Sequence, residues 1–137
     1  MTSSASPGIA RDKPRLLVVW YGFGALLLLV VAALSLLPMP DTGVNDKLSH
    51  LATYIFLSGW FGLLAGNRSA LAWTFVGIVA YGGLIELLQG MTSYRDAEWA
   101  DLLADALGAA VGIGLYFTPL RRLLLLVDRG LAAIFLR

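Results

Sequence analysis

Residues 16–37 form a run of 22 positions without one charged side chain. As an α-helix, such a run is long enough to cross the roughly 30 Å hydrocarbon core of a bilayer. Lipid is therefore the solvent that a fold of this chain must satisfy, and only helices or closed barrels satisfy the backbone there. Composition agrees. The 137 residues are 58% hydrophobic and 14% charged, with a mean hydropathy of +0.78, against about half and about a quarter in soluble domains. A water-soluble domain of this size leaves too much surface exposed to hide that apolar content. Arg11, Lys13 and Arg15 precede the run and Ala33-Leu34-Ser35 supplies a small-x-small triplet, as in a signal peptide. The apolar stretch exceeds the roughly 7–15 residues of such a segment, which favours an uncleaved helix.

Three further spans are predicted, at about 48–65, 70–89 and 99–117. Pro38 and Pro40 close the first span, Gly66-Asn67-Arg68-Ser69 turns the chain after the second, and a polar loop, 90–98, follows the third. Residues 1–14 are small and polar and read as a disordered tail. The segment 119–137 mixes leucines with Arg121, Arg122, Asp128, Arg129 and Arg137. A fifth span would place Asp128 and Arg129 within the membrane, so the segment reads as an amphipathic helix on its surface. The expected fold is thus an all-α membrane protein: a four-transmembrane-helix bundle over 15–118 with a C-terminal interfacial helix.

Charge sets the orientation. The N-terminal tail, the turn at 66–69 and the C-terminal segment hold eight bases and two acids; the opposite side, with its helix ends, holds two bases and seven acids. The positive-inside bias makes the basic side cytoplasmic, with both termini there. The basic C-terminal segment then meets lipid headgroups rather than nucleic acid.

The acidic side carries a constellation. Asp46, His50 and Tyr54 recur every four residues on the second helix, beside Lys47; Glu86 and Gln89 share a face of the third; Asp101, Asp105, Gly108 and Gly112 share a face of the fourth, and Arg95 sits in the loop between them. A carboxylate facing lipid costs several kcal/mol, on the order of the values for charged residues at mid-membrane, so these groups are expected to turn inward and pair. Gly62-x-x-x-Gly66 and Ala104-x-x-x-Gly108-x-x-x-Gly112 would let helix backbones approach closely, with the fourth helix at the centre. Glu86, Asp101 and Asp105 are oxygen donors of the kind a divalent cation takes. An ion-paired lock with Arg95 and Lys47 is the simpler reading, so no metal or cofactor is expected. Without cysteine and with one histidine, thiol chemistry, disulfides and Cys- or His-rich metal sites are excluded. Ser49, Thr92 and Ser93 stand in no activating arrangement for a nucleophile.

The pattern Asp46-Lys47-x-x-His50-x-x-x-Tyr54, Glu86-x-x-Gln89, Arg95-x5-Asp101-x3-Asp105-x-x-Gly108 resembles the VanZ-like family of small bacterial membrane proteins. The likeness covers residues 46–114, about half the chain. Many members carry Asn at the position of Asp105, so this chain adds an acid to an acidic patch. The resemblance implies a place in the bacterial inner membrane and a cell-envelope role, and its name member is linked to teicoplanin resistance. The leading expectation is a non-enzymatic protein whose polar cluster binds the headgroup of a membrane lipid or lipid-linked peptidoglycan precursor through Arg95, Lys47 and His50. An acid–base enzyme working through His50 or Glu86, and a structural helper subunit held by a polar lock, are the alternatives. Transport is weaker, since four short helices leave little room for a pathway. Oligomeric state is not encoded in any of these features.

Overall fold

A computed structural model describes residues 13–38 and 45–136. Among them the chain forms α1 (Leu17–Leu36), α2 (Asp46–Leu64), α3 (Arg68–Gln89), α4 (Trp99–Ile113) and α5 (Pro119–Phe135), with a short 3₁₀ helix (Gly114–Phe117) prolonging α4. The described residues contain no strand. Most of the expected N-terminal tail lies outside them, as do Pro40, Asp41 and Arg137.

Side-chain caps decide where the helices begin. Asn45 accepts a hydrogen bond from the Leu48 amide and Asn67 from the Ala70 amide, so α2 and α3 each start two residues before the apolar pattern does. Thr118 caps α5 through the Leu120 amide, with Pro119 at the first helical position, where its missing N–H costs nothing.

Among the described residues, three helices are long and apolar enough to cross a membrane: α1, α3 and α4 with its 3₁₀ extension. The expected second span, α2, is 19 residues long but too polar to join them on composition. The reason is its position. It packs against every other helix, and it buries His50, Tyr54, Leu57, Ser58, Gly59, Gly62 and Leu64 along its length. A helix surrounded by protein has no need of an apolar exterior. By contrast α1 buries almost nothing, and Val18, Leu26 and Leu29 stand exposed on it. The sequence expectation placed α4 at the centre; α2 holds that position and α4 is its main partner.

Backbones set the approach of that pair. A Cβ on Gly108 would lie 2.5 Å from the Leu51 carbonyl oxygen, and one on Gly112 would strike Ser58 Oγ and the Ile55 carbonyl. Gly62 of α2 faces Ile113 across the same seam, and Gly59 faces Leu115. Gly66, also expected at a helix contact, lies beyond the end of α2 under the stem of Lys13, so the α2 side of the seam is Gly59 and Gly62. Tyr54, Leu57, Ile78 and Ala109 form the buried core where α2, α3 and α4 meet, with Leu27, Leu28 and Val31 of α1 packed against it.

The fifth helix does not continue the bundle but lies across one end of it. Its buried stripe is Arg121, Leu125, Asp128 and Ala132. Arg121 donates to the Ala65 carbonyl just past α2, and Asp128 accepts from the Arg15 and Leu16 amides just before α1. A cation meets a helix C-terminus and an anion meets an N-terminus, each the favourable sign for the helix dipole.

Candidate functional site

The polar cluster sits at the end of the bundle opposite α5, in three tiers. At the bottom, His50 on α2, Glu86 on α3 and Asp105 on α4 converge. The imidazole Nδ1 lies 2.9 Å from Asp105 Oδ1, within hydrogen-bond distance, and 3.9 Å from Glu86 Oε1, too far for one. Asp105 is wholly buried, and Glu86 and His50 nearly so. Gly82 leaves the room for this arrangement: a Cβ there would lie 2.6 Å from Asp105 Oδ2 and 3.2 Å from the Tyr54 hydroxyl.

In the middle tier Lys47 reaches two acids, Glu98 at 2.8 Å and Asp101 at 3.4 Å. The hydrogen bond and charge of Lys47 hold the Glu98 carboxyl below its ordinary pKa. Glu98 also ties the tiers together, because its backbone N–H donates to Glu86 Oε2. At the rim Arg95 pairs with Asp46, with Nη2 3.2 Å from Oδ1.

Gln89 does not face the His50 cluster, although its i, i+3 spacing from Glu86 suggested that it would. Its amide donates to the Ser35 carbonyl at the end of α1, where Arg95 also donates, and Tyr94 donates to the Leu36 carbonyl. These three side chains satisfy the open carbonyls of a helix C-terminus. Asp46, Lys47, His50, Glu86, Arg95, Asp101 and Asp105 thus occupy one connected region, Tyr54 lies beneath it, and Gln89 serves α1. Glu98 belongs to the region as well. Sequence reasoning placed it among the acids of this side but not in the site, because a loop residue before a helix carries no periodicity.

Charge is not balanced in this region. Five acids (Asp46, Glu86, Glu98, Asp101 and Asp105) face two permanent cations, Lys47 and Arg95, and one imidazole, and both cations are already engaged. Three buried oxygens have no hydrogen-bond partner among the described residues, Tyr54 Oη, Glu86 Oε1 and Asp105 Oδ2, while Asp101 Oδ1 has only the longer contact with Lys47. Buried polar atoms in that state cost about 1–3 kcal/mol each, so their clustering marks a site rather than a packing detail. Of the hydroxyls weighed as nucleophiles, Ser49 donates to the Asn45 carbonyl and Thr92, in the loop after α3, to the Gln89 carbonyl.

Beside the cluster a cavity of 490 Å³ opens between α3 and α4. Ala80, Gly83, Leu84, Leu87, Trp99 and Leu102 give it apolar walls, and Glu86 and Glu98 stand at its polar edge. The site is therefore amphipathic, with a greasy slot leading to a charged head. No curated protein and no solved structure matches the chain. Residues 16–125 match the family model described as VanZ/LLP1, which covers most of the chain.

Proposed function

The chain belongs to the VanZ/LLP1 family, and on that premise we propose that it is a four-span protein of the bacterial cytoplasmic membrane whose outward-facing polar site binds the headgroup of an envelope lipid or lipid-linked cell-wall precursor. At about 1.5 Å per residue, the 19 residues of α2 reach roughly 28 Å, enough to cross with the other three. Basic residues at the α5 end and acids at the opposite end favour an outward-facing cluster.

The observation that carries this reading is the apolar slot between α3 and α4, which ends at Glu86 and Glu98. An acyl or prenyl chain fits its walls, and a charged headgroup then meets Lys47, Glu98 and Asp101. Pockets of this kind bind through apolar area and take their selectivity from a few placed polar groups. Glycopeptide resistance, the association of the family's name member, follows if the headgroup is that of a cell-wall precursor.

Gly83 provides the test. A Cβ there meets only Leu102 Cδ1, at 3.9 Å, so Gly83→Phe fills the slot without disturbing the backbone. Native mass spectrometry of protein extracted with its membrane lipids is expected to show an enriched lipid that Gly83→Phe loses. Gly77→Phe, on an open part of α3, is expected to keep it. The same lipid complement in all three proteins would rule the reading out.

A structural reading has one observation of its own: the Lys47 and Arg95 pairs join α2 to the α3–α4 segment. It requires variants of these residues to lose folding stability and lipid retention together, at every position tested.

A further inference from the structure

We infer that His50, Glu86 and Asp105 form a site for one divalent cation of the zinc or manganese class. The inference goes beyond headgroup binding and does not depend on it, since it stands on three side chains and the atoms around them.

Geometry is the first ground. One donor atom from each of the three residues falls within 4.8 Å of the others. Ligand atoms held about 2.1 Å from a tetrahedral ion lie roughly 3.4 Å apart. The two separations from His50 Nδ1, 2.9 Å to Asp105 and 3.9 Å to Glu86, bracket that value, so small side-chain rotations convert the present arrangement into a ligand set. A second triad, Asp46, His50 and Asp101, is also compact. Asp46 is exposed and engaged by Arg95, which makes it the poorer site.

The second ground is independent of the acids' number. Glu86 Oε1 and Asp105 Oδ2 are buried without hydrogen-bond partners among the described residues, and so is the Tyr54 hydroxyl, on a residue only 2% exposed. Tyr54 and Asp105 Oδ2 meet at Gly82, where the hydroxyl can orient the carboxylate once Oδ1 is engaged. Glu86 already has its orienting contact, the Glu98 N–H on Oε2, which leaves Oε1 turned toward His50. Outer contacts of this kind fix the direction of metal ligands.

Charge is the third. With His50 ligating as the neutral imidazole, the two buried carboxylates carry a charge that one divalent cation cancels, and neither Lys47 nor Arg95 is paired with either carboxylate. One nitrogen with two carboxylate oxygens suits borderline ions better than the all-oxygen preference of magnesium or calcium. Three protein ligands leave a coordination position open, which a phosphate oxygen could take.

The test uses the full chain purified in zwitterionic detergent and stripped by chelator. Zinc is titrated in competition with a chromophoric chelator, and manganese by loss of its free-ion paramagnetic resonance signal. Magnesium and calcium serve as comparisons. Expected is one zinc or manganese ion per chain, with affinity falling by more than about tenfold in both Glu86→Gln and His50→Gln and unchanged in Asp96→Asn. Elution volume and helical circular dichroism report whether each variant is folded. Wild-type protein that binds no zinc or manganese overturns the site, and so does stoichiometric binding that either folded variant retains. Both results leave the lipid reading intact, because that is read from Gly83→Phe without added metal.

Discussion

Asp128 caps a helix from which it is more than a hundred residues removed in sequence. Leu16 precedes α1 and has no side-chain cap of its own; Asp128 supplies one, accepting from the Arg15 and Leu16 amides and the Trp20 indole N–H while only 1% exposed. Burial alone would raise the Asp128 carboxyl, but these donors outweigh it and hold the group below its ordinary value of 3.8. A pKa lowered by folding stabilises the fold fully above that ordinary value, and the stabilisation disappears as pH falls through the lower one. Acidification below the carboxylate range is thus expected to free α5, seen as faster hydrogen exchange in α5 while α2 and α4 stay protected. Asp128→Asn should do the same at neutral pH, at a cost of about 1.5–3 kcal/mol for the lost charged hydrogen bonds; unchanged exchange in α5 would refute the cap. Lys47 allows a second comparison. Its contact with Glu98 is exposed, whereas Asp101 is buried. Lys47→Met should lower the melting temperature more than Glu98→Gln, because only the former leaves a buried carboxylate without a cation. Equal melting temperatures would contradict the role given to Asp101. His50, Glu86, Asp101 and Asp105 were legible in the sequence because ionisable groups in apolar helices are expensive and conspicuous. Asp128 read as a surface charge and Gln89 as a member of the cluster, since their partners lie at the two ends of α1, mostly backbone atoms that no side-chain spacing encodes.

Helix α2 is the element on which the others depend, and glycine sets how closely α4 can approach it. Gly108→Ala would push a methyl group into the Leu51 carbonyl and Ile55 amide, which are backbone atoms and cannot swing aside. Overpacking of this kind costs about 1–3 kcal/mol. Gly77, mid-way along α3 with nothing within 4 Å, is the matching control: Gly77→Ala should gain up to about 1 kcal/mol of helix propensity. Thermal or denaturant unfolding in detergent checks the pair, and Gly108→Ala as stable as wild type would mean that the seam is looser than described. The small-residue pattern of α4 was readable in advance, as was every helix. What hydropathy did not convey was the rank of α2. The same polar residues that make it look like the weakest span mark it as the helix most enclosed by protein.

At the scale of the whole molecule, the two ends of the bundle have opposite chemistry, and α5 gives one of them a floor. Around its axis α5 presents three surfaces: the buried stripe with Arg121 and Asp128, a side with Arg122 and Arg129 seven residues apart, and an exposed apolar side with Leu123, Val127 and Ile134. A helix that turns one side to protein, one to lipid and one to charged headgroups belongs in the membrane interface. Its basic side adds to the excess of Lys and Arg at that end of the chain, as the proposed topology, with this end in the cytoplasmic leaflet, requires. The chain has no cysteine, so one introduced thiol reports its own location. Asp96→Cys, exposed in the loop before α4, should react with a membrane-impermeant maleimide on intact spheroplasts. Arg122→Cys, exposed on α5, should react only after the membrane is opened. The reverse pattern would place the polar cluster in the cytoplasm and remove the argument for an envelope headgroup. Labelling of both thiols on intact spheroplasts would instead exclude a cytoplasmic α5, and with it the inward-facing floor to which Asp128 and Arg121 tie α1 and α2.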